Sequence, residues 1–410
     1  MDLSGKRVLI CQPIVYGING STMVTLELAE EIRRRAGEIT VYANIVDSPA
    51  REIFYEKKIN LNSYDDNPKY KLQDFDLIWI HSQTLPKSIV SDLSNIGRLK
   101  KAPIFIFLHM SPFNNFSDER PWIYELEEKL ADKVLVISEE VAEVISGYIP
   151  KAKLEYFRNP APYIYRRNNE SSDNGGKIPK KILIVSNHCP NEILEAKKSL
   201  SDKGLQVDIL GESGRYTPAT PELLKQYDVI ITIGKTVQYC LLLGIPVYIY
   251  DHFGGDGYLN AKNFKLNKRT NFSGRSHNKK KSGETIADEI INNYSSAKRY
   301  ILEHKIDFDN TFSLDRTLDH ILEDLELHKK YDFSSEYIKY VETSQDLARH
   351  SMYYGGYDSY RKKQLIRKIE EENDKLKSEL YGIKNTRAYR ITVLIKRIVN
   401  KAKGIIMLGD

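Results

Sequence analysis

Three glycine-bearing segments stand out for the chemistry they permit. They are "YGINGST" at 16–22, "IGKTVQY" at 233–239 and "HFGGDG" at 252–257. Glycine lets a backbone approach a ligand closely. A helix that starts just after it presents free N–H groups and the positive end of its dipole, a setting suited to phosphate. In the first segment Gly17, Gly20, Ser21 and Thr22 are the candidates. In the second, Lys235 offers a charge and Thr236 opens a helix. In the third, Asp251 closes an apolar run, and His252, Gly254, Gly255 and Asp256 follow. Arg275 in "NFSGR" is a further candidate cation. Two histidines, His81 in "IWIHSQ" and His109 in "FLHMSP", close apolar runs. A histidine so placed can contact a hydroxyl or phosphate, or move a proton.

Two familiar motifs do not fit. "GKT" at 234–236 lacks the earlier glycine of a P-loop, since Val229 occupies that position. "YGINGST" is not the G-x-G-x-x-G of dinucleotide binding. The "DFD" segments at 74–76 and 307–309 do not end strands, so no metal is expected. No cofactor is expected either.

These segments need strands to hold them. "KRVLICQPIV" opens with an apolar run, Val8 to Cys11, as in a strand buried on both faces. Ser21 or Thr22 is expected to cap the helix that follows. Val24, Leu28 and Ile32 recur at helical spacing, Gly37 ends the helix, and "ITVYA" begins a second strand. Further strands are expected at 75–82, 102–111 and 132–139. The pattern lapses over 158–180 and restarts with "KKILIVSNH", followed by strands at 205–210, 228–234 and 245–251. Strands alternating with helices imply a mainly parallel sheet covered on both faces. The expectation is α/β, with two tandem Rossmann-like, doubly wound domains. Residues 1–160 form the first, 161–179 a linker and 180–330 the second with bracing helices. A helical or short coiled-coil extension at 331–384 and a basic amphipathic helix at 385–410 follow.

The chain has 410 residues, 41% hydrophobic and 29% charged, with net charge +5. That suits two globular domains and gives no argument for nucleic acid as a partner. Cys11, Cys189 and Cys240 are spaced neither as a zinc site nor as a redox pair, which points to a reducing, cytoplasmic setting. Met1 to Lys6 leads directly into a strand, so no signal peptide is expected, and no apolar run is long enough for a spanning helix. Ile366, Ile369, Asn373, Leu376, Leu380 and Ile383 alternate by three and four, a heptad seam that allows homo-oligomers through 362–384. Ile391, Leu394, Ile395, Ile398, Ala402 and Ile405 share a face flanked by Arg387, Arg390, Lys396, Arg397, Lys401 and Lys403. That composition suits an anionic membrane surface and a peripheral position on its inner face.

Several segments, taken in order, resemble the GT-B glycosyltransferases, in particular the bacterial group 1 (family 4-like) enzymes that use nucleotide-sugar donors. They are "VYGINGSTMVTLELAEEIRRRAGEITVYA", "FDLIWIHSQ", "KVLVISEEVAEVI", "YFRNPAP" and "LLLGIPVYIYDHFGG", and the likeness covers about residues 5–330. It implies transfer of a sugar from a nucleotide sugar to an acceptor, here a lipid-linked glycan of cell-surface polysaccharide assembly, without a metal. It implies that the departing phosphate is met by Lys235, Thr236, Gly254 and Gly255, with His252, Asp256 and Arg275 nearby. His109 becomes the catalytic candidate, and His81 and Asp251 secondary ones. The chain departs from the family where an Arg and a Lys should follow the first strand of the second domain; "VSNHCPNE" has Asn187 and Asn191 there. Tyr239 stands where the family has Glu. These departures admit two alternatives: a non-catalytic binding or scaffold protein of the same fold, and a transferase of phosphopolyols from a CDP-activated donor.

Overall fold

A computed structural model describes the chain except residues 167–176, 277, 324, 326–329, 331, 390, 393 and 396–410. The chain forms two compact units, Met1–Arg349 and His350–Asp410. Among the described residues no helix is long and apolar enough to cross a membrane.

The first unit contains two α/β sheets. In one, β1 (Arg7–Val15), β2 (Glu38–Val46), β3 (Asn60–Ser63), β4 (Leu77–His81), β5 (Ile104–His109), β6 (Lys133–Val136) and β7 (Leu154–Tyr156) run parallel in the order β3-β2-β1-β4-β5-β6-β7. In the other, β8 (Lys181–Val185), β9 (Gln206–Leu210), β10 (Val229–Thr232), β11 (Val247–Asp251) and β12 (Gly254–Tyr258) lie in the order β12-β11-β10-β8-β9. β12 alone runs antiparallel. The continuous apolar runs of β4, β5, β10 and β11 are what burial on both faces demands, and every residue of these strands is buried.

Strand order decides where ligands can bind. It reverses between β1 and β4 in the first sheet and between β8 and β10 in the second. At such a reversal neighbouring crossovers run to opposite faces, leaving a crevice outside the strands' C-terminal ends. The loops after β1, β8 and β10 lie at those ends.

The helices divide differently from the expected boundaries. Leu314, Leu318, Ile321 and Leu322 of the helix Leu314–Glu323 pack into the core of the first sheet with Val8, Val24 and Leu28. Ile338 and Val341 join the opposite face of that sheet. Residues assigned from sequence to the second domain and to an extension thus complete the first. Their apolar spacing shows that a face is buried but not against which sheet. The chain crosses between domains twice at one place: Ala161 N–H donates to Phe312 O at 2.7 Å, and Leu314 N–H to Ala161 O at 2.9 Å. Much of the expected linker lies outside the described residues.

In the second unit the helix Asp358–Asn385 continues from a π-turn at Tyr353–Tyr357. Of the amphipathic segment at 385–410, Ile391, Leu394 and Ile395 are described and exposed; most of it lies outside the described residues.

Candidate active site

A cleft of about 350 Å³ opens where the two reversal points face each other. One wall holds Asn19, Gly20, Ser21 and Glu119. The other holds Ser186, Asn187, His188, Gly234, Lys235, Thr236, Asp251 and His252.

The first wall begins where β1 ends. Asn19, rather than Ser21 or Thr22, caps the helix Gly20–Arg34: its Oδ1 accepts from Thr22 N–H at 3.0 Å and from the Ser21 hydroxyl at 2.9 Å. Asn is as good a cap as Ser and sits earlier in the chain. Thr22 is therefore buried beneath the loop, while Gly20 and Ser21 face the cleft. Gly17 lies outside the lining, against the second domain; a Cβ there would sit 3.4 Å from the Tyr216 hydroxyl. That hydroxyl accepts from Ile18 N–H at 2.9 Å, and Asn187 Nδ2 donates to Ile18 O at 3.0 Å. The loop after β1 is thereby tied across the cleft.

The second wall is built on the helix Lys235–Leu243. Its cap residue, Gly234, has φ 62° and open space where a Cβ would be. A left-handed turn of this kind favours glycine. No side chain caps the helix, so the N–H groups of Lys235 and Thr236 are left at the cleft with the positive dipole end.

The Lys235 ammonium does not share that position. It lies 2.7 Å from Glu27 Oε2 and donates to the carbonyls of Asn159 at 3.2 Å and Pro160 at 2.5 Å. Both side chains are buried. Burial lowers the lysine's pKa and raises that of Glu27, and in each case the partner's charge opposes the shift. The Tyr239 hydroxyl also donates to Glu27. Lys235 is thus a buried link between the domains at the crossover, not the free phosphate cation that the sequence suggested. Tyr239, the residue standing where the resemblance expects Glu, and its neighbour Gln238 are buried in the same interior.

"HFGGDG" is also reassigned. It is the return of a hairpin, with β12 pairing to β11 through Ile249↔Gly257 and Asp251↔Gly254. A Cβ on Gly254 would sit 2.2 Å from Lys279 O, and one on Gly255 would sit 2.0 Å from Ile249 O. The protein's own backbone fills the space that the glycines leave. Asp256 accepts from Asn267 Nδ2 and the Ser276 hydroxyl, both at 2.8 Å. None of the three lines the cleft. The turn before them does: Asp251 accepts from the Ser186 hydroxyl at 3.0 Å and from His252 N–H at 2.7 Å. Burial raises the Asp251 pKa against these bonds. His252 is half-exposed, its ring 5.1 Å from that of His188.

Arg275 is likewise engaged. It makes a two-pronged ion pair with Glu140 of the first domain, at 2.6 and 3.1 Å, and lies over the rings of Phe113 and Phe253. Arg269 and Glu143 form a second bridge at 2.6 Å. These pairs link the domains away from the cleft lining.

Neither strand-end histidine reaches the cleft. His81 is buried with Nδ1 against Gln12 and Thr25, and burial pushes its pKa down to about 3, so it is neutral. His109 is buried with Nε2 2.9 Å from Glu127 Oε1. Burial opposes its charge, but Glu127 and Glu119 outweigh it and raise the pKa. The carboxyl that does reach the cleft from this side is that of Glu119. Its Oε2 accepts from the Ser82 hydroxyl at 2.8 Å, and burial together with neighbouring Asp118 pushes its pKa up to about 8. Sequence reading passed over it because "FNNFSDERPW" has no period. Its signal was position: the loop follows β5, at the end of the sheet where ligands bind. The "DFD" carboxylates lie elsewhere, with Asp76 taking Arg7 N–H and Lys101, and Asp309 taking Lys305.

No family model matches the chain, and no curated protein matches it. Solved structures do. A glycosyltransferase from Rickettsia africae ESF-5 is 13% identical, with 78% of this chain and 97% of that one covered and a TM-score of 0.47. MurG from Acinetobacter baumannii is 12% identical, with 78% and 99% covered and a TM-score of 0.45. A UDP-GlcNAc 2-epimerase from Neisseria meningitidis bound to UDP-GlcNAc is 13% identical, with 73% and 100% covered and a TM-score of 0.36.

Proposed function

We propose that the protein is a glycosyltransferase that moves a sugar from a nucleotide-sugar donor to a hydroxyl acceptor. One observation carries the reading. An uncapped helix start, suited to an anion, faces a carboxyl with a raised pKa across a cleft built at both strand-order reversals. In the reaction the acceptor oxygen attacks the sugar's anomeric carbon and the bond to the donor phosphate breaks, its electrons passing to that phosphate. The N–H groups of Lys235 and Thr236 receive the growing negative charge in a preorganised way. His188 and His252 flank the same wall and supply further donors. Glu119, when ionised, takes the proton from the acceptor hydroxyl. His109 does not touch substrate in this scheme; its ring is held by Glu127. The phosphate is met by amides and histidines, without calling on a metal or a resident cofactor. A lipid-linked glycan is the acceptor we favour, and the basic residues of 385–410 support a place at the inner membrane surface.

The test is nucleotide release by the full-length protein over a panel of nucleotide sugars and CDP-polyols, with and without membrane extract. A nucleotide-sugar response is expected, and silence with every donor would refute catalysis in favour of a binding role. A response to CDP-polyols alone would replace sugar by phosphopolyol transfer. Glu119→Gln should lower kcat by roughly 10²–10⁴-fold while leaving donor Kd unchanged. The wild-type rate should climb as the carboxyl ionises and level off above about pH 8, a rise that the Gln variant lacks. The stability effect has the opposite sense. The folded state binds the Glu119 proton more tightly than the unfolded state, so stability falls as pH rises from the ordinary carboxylate range to about 8. That fall should shrink in the Gln variant.

A further inference from the structure

The helix Asp358–Asn385 carries an apolar seam that nothing among the described residues of its unit covers. Ile366, Ile369, Leu376, Leu380 and Ile383 are each about half exposed or more. With Ile366 at heptad position a, the a positions are Ile366, Asn373 and Leu380, and the d positions are Ile369, Leu376 and Ile383. The seam is 18 residues long, from 366 to 383, or about 27 Å at 1.5 Å per residue.

We infer that this helix pairs with the same helix of a second copy as a parallel, in-register coiled coil. The charges beside the seam choose the partner and the direction. Glu372 and Glu379 occupy g positions, and Lys377 and Lys384 occupy e positions. In a parallel pair each g residue meets the e residue five positions on in the other helix. Glu372 then faces Lys377 of the second copy, and Glu379 faces Lys384, and symmetry repeats both contacts. Glu370 is the remaining e residue of the seam; an antiparallel pair over the same length would let it meet Lys377 but would place Glu372 against Glu379, a repulsion that the parallel pair avoids. Asn373 at a central a position adds to this: two such amides can meet only when the helices are parallel and in register, and a buried Asn at a favours that arrangement over others. Lys377 now lies 3.0 Å from Asp374 in its own helix, but both are exposed and the pair is weak enough to be exchanged. The inference does not depend on the proposed reaction.

Light scattering and sedimentation on the full-length chain test it. The wild type should show twice the chain mass at high concentration and dissociate on dilution. Glu372→Lys with Glu379→Lys should give monomers, as should Lys377→Glu with Lys384→Glu. An equimolar mixture of the two double variants should recover the twofold mass. Ser359→Cys, one heptad before Ile366, should form a disulfide-linked dimer in air at a rate well above the wild type. A monomeric wild type would overturn the inference. So would a dimer indifferent to both charge reversals, since its contact would lie elsewhere. A charge-sensitive dimer in which Ser359→Cys forms no cross-link would overturn the parallel register.

Discussion

The loop after β1 and the turn after β11 read alike in sequence, each rich in glycine beyond an apolar strand, yet they use their glycines oppositely. At Gly20 a Cβ would meet only Lys235 Cβ, at 3.7 Å, and the residue borders the cleft. At Gly255 a Cβ would drive into Ile249 O and Tyr250 Cα, and the residue is buried in a hairpin. Glycine reports that something comes close. Whether it is a ligand or the chain itself depends on the next element. After Gly20 a long helix starts and carries the chain away, so the approach stays open. After Gly255 the chain turns back on β11 and occupies the space.

The largest effect should come from the filled side. Gly255→Val places a branched side chain where backbone atoms already stand, and it should cost about 4 kcal/mol or more, measured by urea unfolding. A variant that keeps the wild-type midpoint but loses donor binding would reverse the comparison and return this turn to the ligand.

Next comes the pair behind the open side. Lys235→Met leaves Glu27 buried with no cation, which should cost about 3–5 kcal/mol. The loss should grow as pH rises above the ordinary carboxylate range. Burial without a cation raises the folded-state pKa of Glu27 further, so the folded state holds a proton that the unfolded state has released. Lys235→Met combined with Glu27→Gln should recover most of the loss. If the single variant unfolds normally and only donor affinity falls, the lysine serves the phosphate after all.

How much could be read beforehand follows from the same physics. Strands buried on both faces announce themselves as apolar runs, so most strands of both sheets were legible to within a few residues, although β1 extends to Val15 rather than stopping at Cys11; the short edge strands β3, β7 and β12 carry no such run and were not read. The cleft's place followed from parallel topology, and Gly20, Ser21, Thr236, Asp251 and His252 do line it. Direction and pairing were not legible. Nothing local separates a lysine aimed at a ligand from one aimed at Glu27, far away in the chain, or an arginine such as Arg275 from its bridge to Glu140. His81 and His109 were correctly placed at strand ends, but a last strand residue can point beneath the sheet edge as readily as out of it. Glu119 was hidden because its raised pKa comes first from burial, which an aperiodic loop does not announce, and only then from adjacent Asp118.

The smallest effect is the most informative about the open side. Gly20→Ala puts a methyl group at ordinary contact distance from Lys235 Cβ, so no neighbour has to move. Gly20 opens a helix, where Ala holds a modest advantage over Gly of about 0.5–1 kcal/mol. The midpoint of unfolding should therefore stay level or rise slightly. A methyl group on the cleft face nevertheless occupies space that a donor would use, and donor Kd should rise a few-fold while stability does not fall. That separation, weaker binding without weaker folding, has no counterpart at Gly255, where any binding defect must come with an unfolding defect. Unchanged affinity in Gly20→Ala would mean that the loop after β1 is a turn like the other, and the ligand would then have to rest on the helix start at Gly234 and the histidines alone.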